Sequence, residues 1–429
     1  MVKLTDDEKS MRDGAQGAAV AKAMDLLIRY ADALGAEDFV YTNNVAGVPG
    51  SSTPWVKEYY KEDGGDYRAV FSRFDLDSDE VVDVPRMNAF SCHLQGGMDP
   101  DMWSDQGKSE ADFANFRSDE GEVAAHGIQV LKTCTPYLAG NVPVMGEHCA
   151  WMESSAVVFC NSVIGGRTNC EGRESTSAAM LAKRVPNWGF HKDDFRRGQH
   201  AIDVMVPVDS IFEWGMLGYF TGAAVEDAIP VLDGAVSDAS LIKHKHFGAA
   251  AASSGGVEMY HMIGITPEAP SREVAFGGID RGERFFYGPR ERAEVYERLN
   301  SIGDSRDVDY VMLGCPHYSI DQIADAAMML EGRKVHENSE LWIFTSRAVK
   351  ATAMASGYDR ILREAGAKLM TDTCSAISQA VPPGTKVAAF DSAKQTHYLP
   401  AMMGIEGWFG TTQDCINAAC TGKWEGRLN

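Results

Sequence analysis

From Tyr310 to its C-terminus the chain switches repeatedly between short apolar runs and longer stretches with helical spacing. Tyr310–Leu313, Leu341–Phe344, Lys368–Met370 and Val387–Phe390 read as strands. Ile320–Leu330, Ala348–Ser356 and Ile361–Ala365 read as helices. Strands separated by helices are not hairpin partners, so the alternation predicts βαβ units and a mostly parallel sheet. The carboxyl ends of parallel strands share one edge, and ligands of α/β proteins bind there. Cys315, Arg347, Cys374 and Ser392/Lys394 each follow a predicted strand, so residues far apart in sequence are expected to converge. Cys315 precedes Pro316 and is expected at a helix start, where the dipole favours a thiolate and proline fits the first turn.

The rest of the chain is less regular. Met11–Leu34 is expected to be one helix ending at Gly35, and Phe39–Tyr41 a short apolar segment. The stretch 43–52 is rich in glycine and small polar residues, which lets backbone approach a ligand closely. Val123–Leu131 reads as a helix leading into Thr133-Cys134-Thr135-Pro136-Tyr137. Leu241–Ser254 reads as a helix, Gly256–Ile263 as a strand, and Thr266-Pro267-Glu268 as a helix start. At about 150 residues per domain the 429 residues make two or three domains. We expect an N-terminal α/β region, 1–235, and a C-terminal βαβ region, 236–429.

Forty basic residues against sixty-one acidic ones leave a formal charge of −21. A surface that acidic repels nucleic acid and anionic lipid, so neither is an expected partner. The N-terminus lacks a signal-peptide layout, and no apolar run is long enough for a membrane helix, so a cytoplasmic location is expected. Nine cysteines without a Cys-x-x-Cys pair argue against zinc-finger and thioredoxin-like readings. Glycine-rich phosphate fingerprints and the Gly-x-Ser-x-Gly elbow are absent as well.

The densest polar segment is Pro143–Glu171. Glu153, Ser154, Ser155, Asn161, Ser162, Arg167, Thr168 and Asn169 lie there among apolar neighbours. If buried, they must pair with one another or with a ligand. Cys149, Cys160 and Cys170 have irregular spacing and read as packing residues.

Several of these motifs occur together in a fixed order. They are Thr-Cys-Thr-Pro-Tyr at 133–137, Glu-Ser-Ser-Ala-Val at 153–157, Asn-Ser-Val-x-Gly-x-Arg-Thr-Asn at 161–169, Gly-x-Thr-Pro-Glu-Ala at 264–269, Gly-Cys-Pro-His at 314–317, Asp-Thr-Cys at 372–374 and Ser-x-Lys at 392–394. The ordered set resembles the large subunit of aconitase X, an iron–sulfur hydro-lyase family of the aconitase superfamily. The resemblance implies an aconitase-like multi-domain α/β arrangement of mostly parallel sheets flanked by helices around a cluster site. It implies Cys134, Cys315 and Cys374 as ligands of a [4Fe-4S] or [2Fe-2S] cluster with one iron open as a Lewis acid.

The substrate implied is a small hydroxy acid, foremost cis-3-hydroxy-L-proline dehydrated to pyrroline-2-carboxylate, with phosphomevalonate as the alternative. Lys394, helped by Ser392, would hold the substrate carboxylate, and Glu153 and Ser154 would contact the substrate. Gly47 and Val48 would offer backbone groups and Asn88 an amide. Arg167, Arg347 and His317 could bind or brace. Pro49 and Ala89 stand where the family usually has serine and proline, which bears on the substrate more than on the reaction. The resemblance also implies a small swivelling subunit carrying a serine base, and with the chain ending at Asn429 a separate partner is expected. Two competing readings remain. One is a non-catalytic iron–sulfur redox protein, which needs a fourth ligand such as Cys415. The other is a metal-free binding protein.

Overall fold

The computed structural model describes residues 1–47, 85–87, 90–93, 97–278, 282–301 and 303–428. Its C-terminal part contains a five-stranded sheet in the order Lys368–Thr371, Glu340–Thr345, Tyr310–Tyr318, Val387–Phe390, Glu406–Phe409, with every pairing parallel. The period of two along these strands sorts their side chains onto two faces. Val311, Leu313, Leu341, Ile343 and Ala389 pack against the helices Ile320–Leu330 and Thr412–Thr421. Tyr310, Met312, Trp342, Phe344, Met370 and Phe390 form the other face, and Cys315 and Cys374 belong to that cluster.

Short strand-to-helix loops here end in a hydroxyl residue. Ser319, Ser346, Ser392 and Thr411 each cap the helix that follows, accepting a backbone N–H of its first turn. These caps fix where each helix begins, and so which residues face the sheet edge.

Two further parallel sheets complete the described fold. One pairs Phe90–His93, Asn44–Gly47 and Cys149–Trp151; the other pairs His261–Met262, Pro230–Val236, His200–Val208 and Arg284–Tyr287. Phe39–Tyr41 and Arg184–Pro186 form an antiparallel pair. At the centre, the helices Ile211–Val225 and Leu241–Ser254 lie almost backbone to backbone. A Cβ on Gly218 would stand 2.3 Å from the carbonyl oxygen of Phe247, and one on Gly222 2.2 Å from that of Ala251. Leu241–Ser254 also packs on the helices Ser154–Phe159 and Ala393–Met403 and on the strand Tyr310–Tyr318, which puts it behind the segments of Glu153, Lys394 and Cys315. No helix among the described residues is long and apolar enough to cross a membrane.

The expected parallel α/β architecture is present, and local departures have local causes. The first helix is two, Asp6–Arg12 and Ala18–Leu34, parted where Gly14 and Gly17 take positive φ. The helix expected at Val123–Leu131 is Glu110–Ala125, ended by Gly127 at φ +80°. Of Gly256–Ile263 only His261–Met262 pairs as a strand. Thr266 does not start a helix: its hydroxyl takes the N–H of Met262, and the next helix, Arg272–Ala275, is capped by Ser271. Cys315 is not at a helix start either. The strand runs on to Tyr318 with a bulge after Leu313 and a cis Cys315–Pro316 bond, and the helix begins at Ile320. The thiolate-favouring dipole expected at Cys315 is therefore missing.

Candidate active site

Three cysteines from distant stretches meet at the edge of the five-stranded sheet. Cys134 follows an irregular run after Gly127, Cys315 sits in the strand bulge, and Cys374 directly precedes the short helix Ser375–Ser378. All three are buried. One residue ties them together. The backbone N–H of His317 points to the Cys134 sulfur at 3.3 Å, its Nδ1 lies 2.9 Å from the Thr133 hydroxyl, and its Nε2 lies 2.9 Å from the Thr373 carbonyl oxygen. A carbonyl only accepts, so Nε2 carries the proton and Nδ1 accepts from Thr133. Burial lowers the pKa of His317 to about 4, which keeps the ring neutral in this role. The His317 ring thus links the segments that carry Cys134 and Cys374.

Burial raises the thiol pKa values of Cys134 and Cys315 to about 12 and that of Cys374 to about 11. Each sulfur also feels the charge of another: Cys315 acts on Cys134, Cys374 on Cys315, and Cys134 on Cys374. Such thiols ionise only when a cation binds them. Among the described residues no three His, Cys, Asp or Glu side chains come close enough to share one metal ion. A single zinc would need its sulfurs on one shell of about 2.3 Å radius. A [4Fe-4S] cluster gives each thiolate a different iron and spaces the ligands more widely. Three buried cysteines that act on one another have the donor chemistry of an iron–sulfur site.

Beside the thiols lies a buried ion pair. Glu153 follows the strand Cys149–Trp151 and caps the helix Ser154–Phe159. One carboxylate oxygen accepts from the Ala156 N–H at 2.8 Å and the Ser155 hydroxyl at 2.6 Å, and the other from Lys394 at 2.6 Å. Burial opposes both charges, yet the pair wins: Glu153 falls below its ordinary value, and Lys394, which also faces the Cys315 sulfur, rises above its own. Ser392 caps the helix carrying Lys394 and lies close enough to Cys315 to favour its thiolate. Ser154 is half-buried at the first position of its helix. The helix passes directly into a single π-helical turn, Cys160–Ile164, a feature frequent at functional sites.

Gly47 ends its strand against Thr176, and a Cβ there would come within 2.4 Å of the Thr176 hydroxyl oxygen. Val48 and Asn88, with Pro49 and Ala89, lie outside the described residues. The two arginines in question are both engaged in ion pairs. Arg347 makes two-pronged contacts with both Asp372 and Glu120, and Arg167 pairs with Asp193 and the His191 carbonyl. Most of the polar segment also pairs internally, with Asn161 bonded to both backbone groups of Thr168 and the Ser162 hydroxyl taking the Tyr260 N–H. Cys149 and Cys160 pack together as expected, but Cys170 is exposed. Cys415 is buried on the opposite face of the sheet from Cys315 and Cys374, which separates it from the other thiols.

Arg196 escaped the sequence reading. It is buried, forks onto Glu268 and donates to the carbonyls of Asn161, Gly166 and Phe190, clamping the π turn to the Thr-Pro-Glu motif. The motif was visible in sequence; its partner lies seventy-two positions away.

Family models described as aconitase X first, second and third domain match residues 1–194, 198–297 and 308–421. The phosphomevalonate dehydratase large subunit of Methanocaldococcus jannaschii is 33% identical over 427 residues, covering 96% of this chain and 99% of that one. The cis-3-hydroxy-L-proline dehydratase of Pseudomonas aeruginosa is 37% identical over 304 residues, which are 69% of this chain and 52% of that one. The holo-form crystal structure of Thermococcus kodakaraensis aconitase X superposes with a TM-score of 0.80 at 27% identity, over 97% of this chain and 100% of that one. The chain therefore belongs to the aconitase X family and is a dehydratase of the aconitase X type.

Proposed function

We propose that this chain is the large component of an iron–sulfur-dependent hydro-lyase that dehydrates cis-3-hydroxy-L-proline to pyrroline-2-carboxylate. The observation that carries this reading is the Glu153–Lys394 pair, 2.6 Å long and buried beside three thiols. A zwitterionic amino acid exchanges cleanly into such a pair. Its carboxylate takes Lys394 and its ring ammonium takes Glu153, so no buried charge loses its partner. Cys134, Cys315 and Cys374 would hold a [4Fe-4S] or [2Fe-2S] cluster, which supplies a Lewis acid for the departing hydroxyl.

The residues of this chain fix the pose. Lys394, steadied by Ser392 at its helix start, orients the carboxylate, while Glu153 and Ser154 hold the ring. Gly47 offers backbone groups at the end of its strand. Loss of the C2 proton and the C3 hydroxyl releases water, and a base on a small swivelling subunit accepts the proton. Relatives named as large subunits support such a partner.

A second reading, phosphomevalonate dehydration, is favoured by the near-complete alignment with those large subunits. A phosphate asks for more cations than Lys394, and among the described residues Arg347 and Arg167 are committed to carboxylates. The test is to co-express the chain with a small-subunit partner, count iron and sulfide anaerobically, and assay both substrates. Turnover of the hydroxyproline alone supports the proposal. Turnover of phosphomevalonate alone replaces it, full activity without the partner refutes the two-component part, and iron-free active protein removes the cluster.

A further inference from the structure

Lys245 lies on the helix Leu241–Ser254 with 2% of its surface exposed. Its ammonium donates to the His317 carbonyl at 2.7 Å, the Gln322 side-chain oxygen at 2.5 Å and the Pro316 carbonyl at 3.4 Å. All three acceptors are neutral. A buried ammonium without a carboxylate is costly, and proteins rarely keep one without a counter-charge.

The surrounding charges are otherwise balanced. Lys394 is matched by Glu153. Lys132 and Arg347 are matched by Glu120 and Asp372. Asp391 acts on Lys245 through space, but its Oδ2 is held by the hydroxyls of Tyr318 and Thr412 and no ion pair joins the two. Among the described residues Lys245 has no carboxylate in contact, and the carbonyls it grips belong to the two residues after Cys315, whose sulfur also acts on it.

Three thiolates outnumber the positive charge of an oxidised iron–sulfur core, so a loaded site is an anion in a dry surrounding. We infer that Lys245 is the buried counter-charge of that anion: a positioning residue that sets how tightly the cluster is held and at what potential it is reduced. The inference rests on the cluster reading above.

Lys245→Met removes the charge and the donors, whereas Lys245→Gln removes the charge but keeps a donor. Each is compared with wild type and with the surface control Lys423→Met, using full-length chain in loaded and metal-free forms. Two readouts do not depend on turnover: the gap in unfolding temperature between the two forms, and the midpoint potential of the cluster in an anaerobic redox titration. Both neutral variants are expected to narrow the gap, move the potential to more negative values and lose iron to a chelator at least tenfold faster. A purely structural lysine lowers both forms equally, so an unchanged gap with an unchanged potential overturns the inference. Restoration of both by Gln also overturns it, because the donor and not the charge would then matter. Wild-type protein without iron and sulfide overturns the cluster reading itself.

Discussion

Removing the Lys394 ammonium separates the chemistry proposed for this site from its architecture. At 2.6 Å and an effective dielectric of about 20, the attraction between Lys394 and Glu153 is roughly 6 kcal/mol before desolvation. Both side chains are more than four-fifths buried, so Lys394→Met strands a carboxylate that keeps only Ser155 and Ala156 as donors. The expected loss of stability is about 3 kcal/mol. Loss of one charge-assisted bond to the substrate carboxylate is worth roughly 1.5–3 kcal/mol, or about ten- to hundredfold in kcat/KM. Urea unfolding and steady-state kinetics on iron-replete protein measure the two effects separately. The double variant Glu153→Gln/Lys394→Met leaves no unpaired charge and should recover most of the lost stability while kcat/KM stays at least as low as in the single variant. A folded, loaded Lys394→Met enzyme with kcat/KM within threefold of wild type would refute the reasoning, as would a double variant no more stable than the single one.

Three other perturbations test the scaffold. Arg347→Met strands Asp372, whose side chain has no exposed surface, and should cost about 3 kcal/mol in urea unfolding together with iron content. A loss below about 1 kcal/mol would contradict the bracing role. Burial raises the Glu171 pKa from 4.5 to about 7, so the folded chain keeps this proton between those values while the unfolded chain loses it. Its contribution therefore declines as pH rises from about 4.5 to 7, by roughly 3 kcal/mol, and Glu171→Gln should gain that much on wild type between pH 4.5 and 8. An equal difference between the two proteins at both pH values would count against it. Gly47→Ala drives a methyl against Thr176 and should displace the strand end, raising KM at least tenfold with the cluster spectrum unchanged.

Some of this site was legible in one dimension because its signals are local. Apolar period and length distinguish a strand such as Leu341–Phe344 from a helix such as Ile320–Leu330, and alternation of the two leaves a parallel sheet as the economical arrangement. The parallel sheet in turn puts Cys315, Cys374 and Lys394 at one edge before any coordinate is known. Cys134 had no such warrant, since it follows no strand, and only the ordered motifs drew attention to it.

Pairing across the chain had no local signature. Nothing in Gly-Cys-Pro-His says that His317 bridges residues 133 and 373, because an imidazole acquires partners only when three separate segments close around it. The same holds for Arg347 as a brace, for Arg196 clasping Glu268, and for Lys245, an unremarkable lysine in a helix until packing removes its water. Even the position of Cys315 depended on register, since a bulge lengthened its strand and delayed the helix by several residues. Residue order alone settled the parallel architecture and brought Cys315, Cys374 and Lys394 toward one sheet edge, because hydrophobic periodicity is a property of neighbours. Which of those side chains touch a ligand and which hold one another was decided in three dimensions, where burial makes every unpaired charge expensive and so dictates its partner.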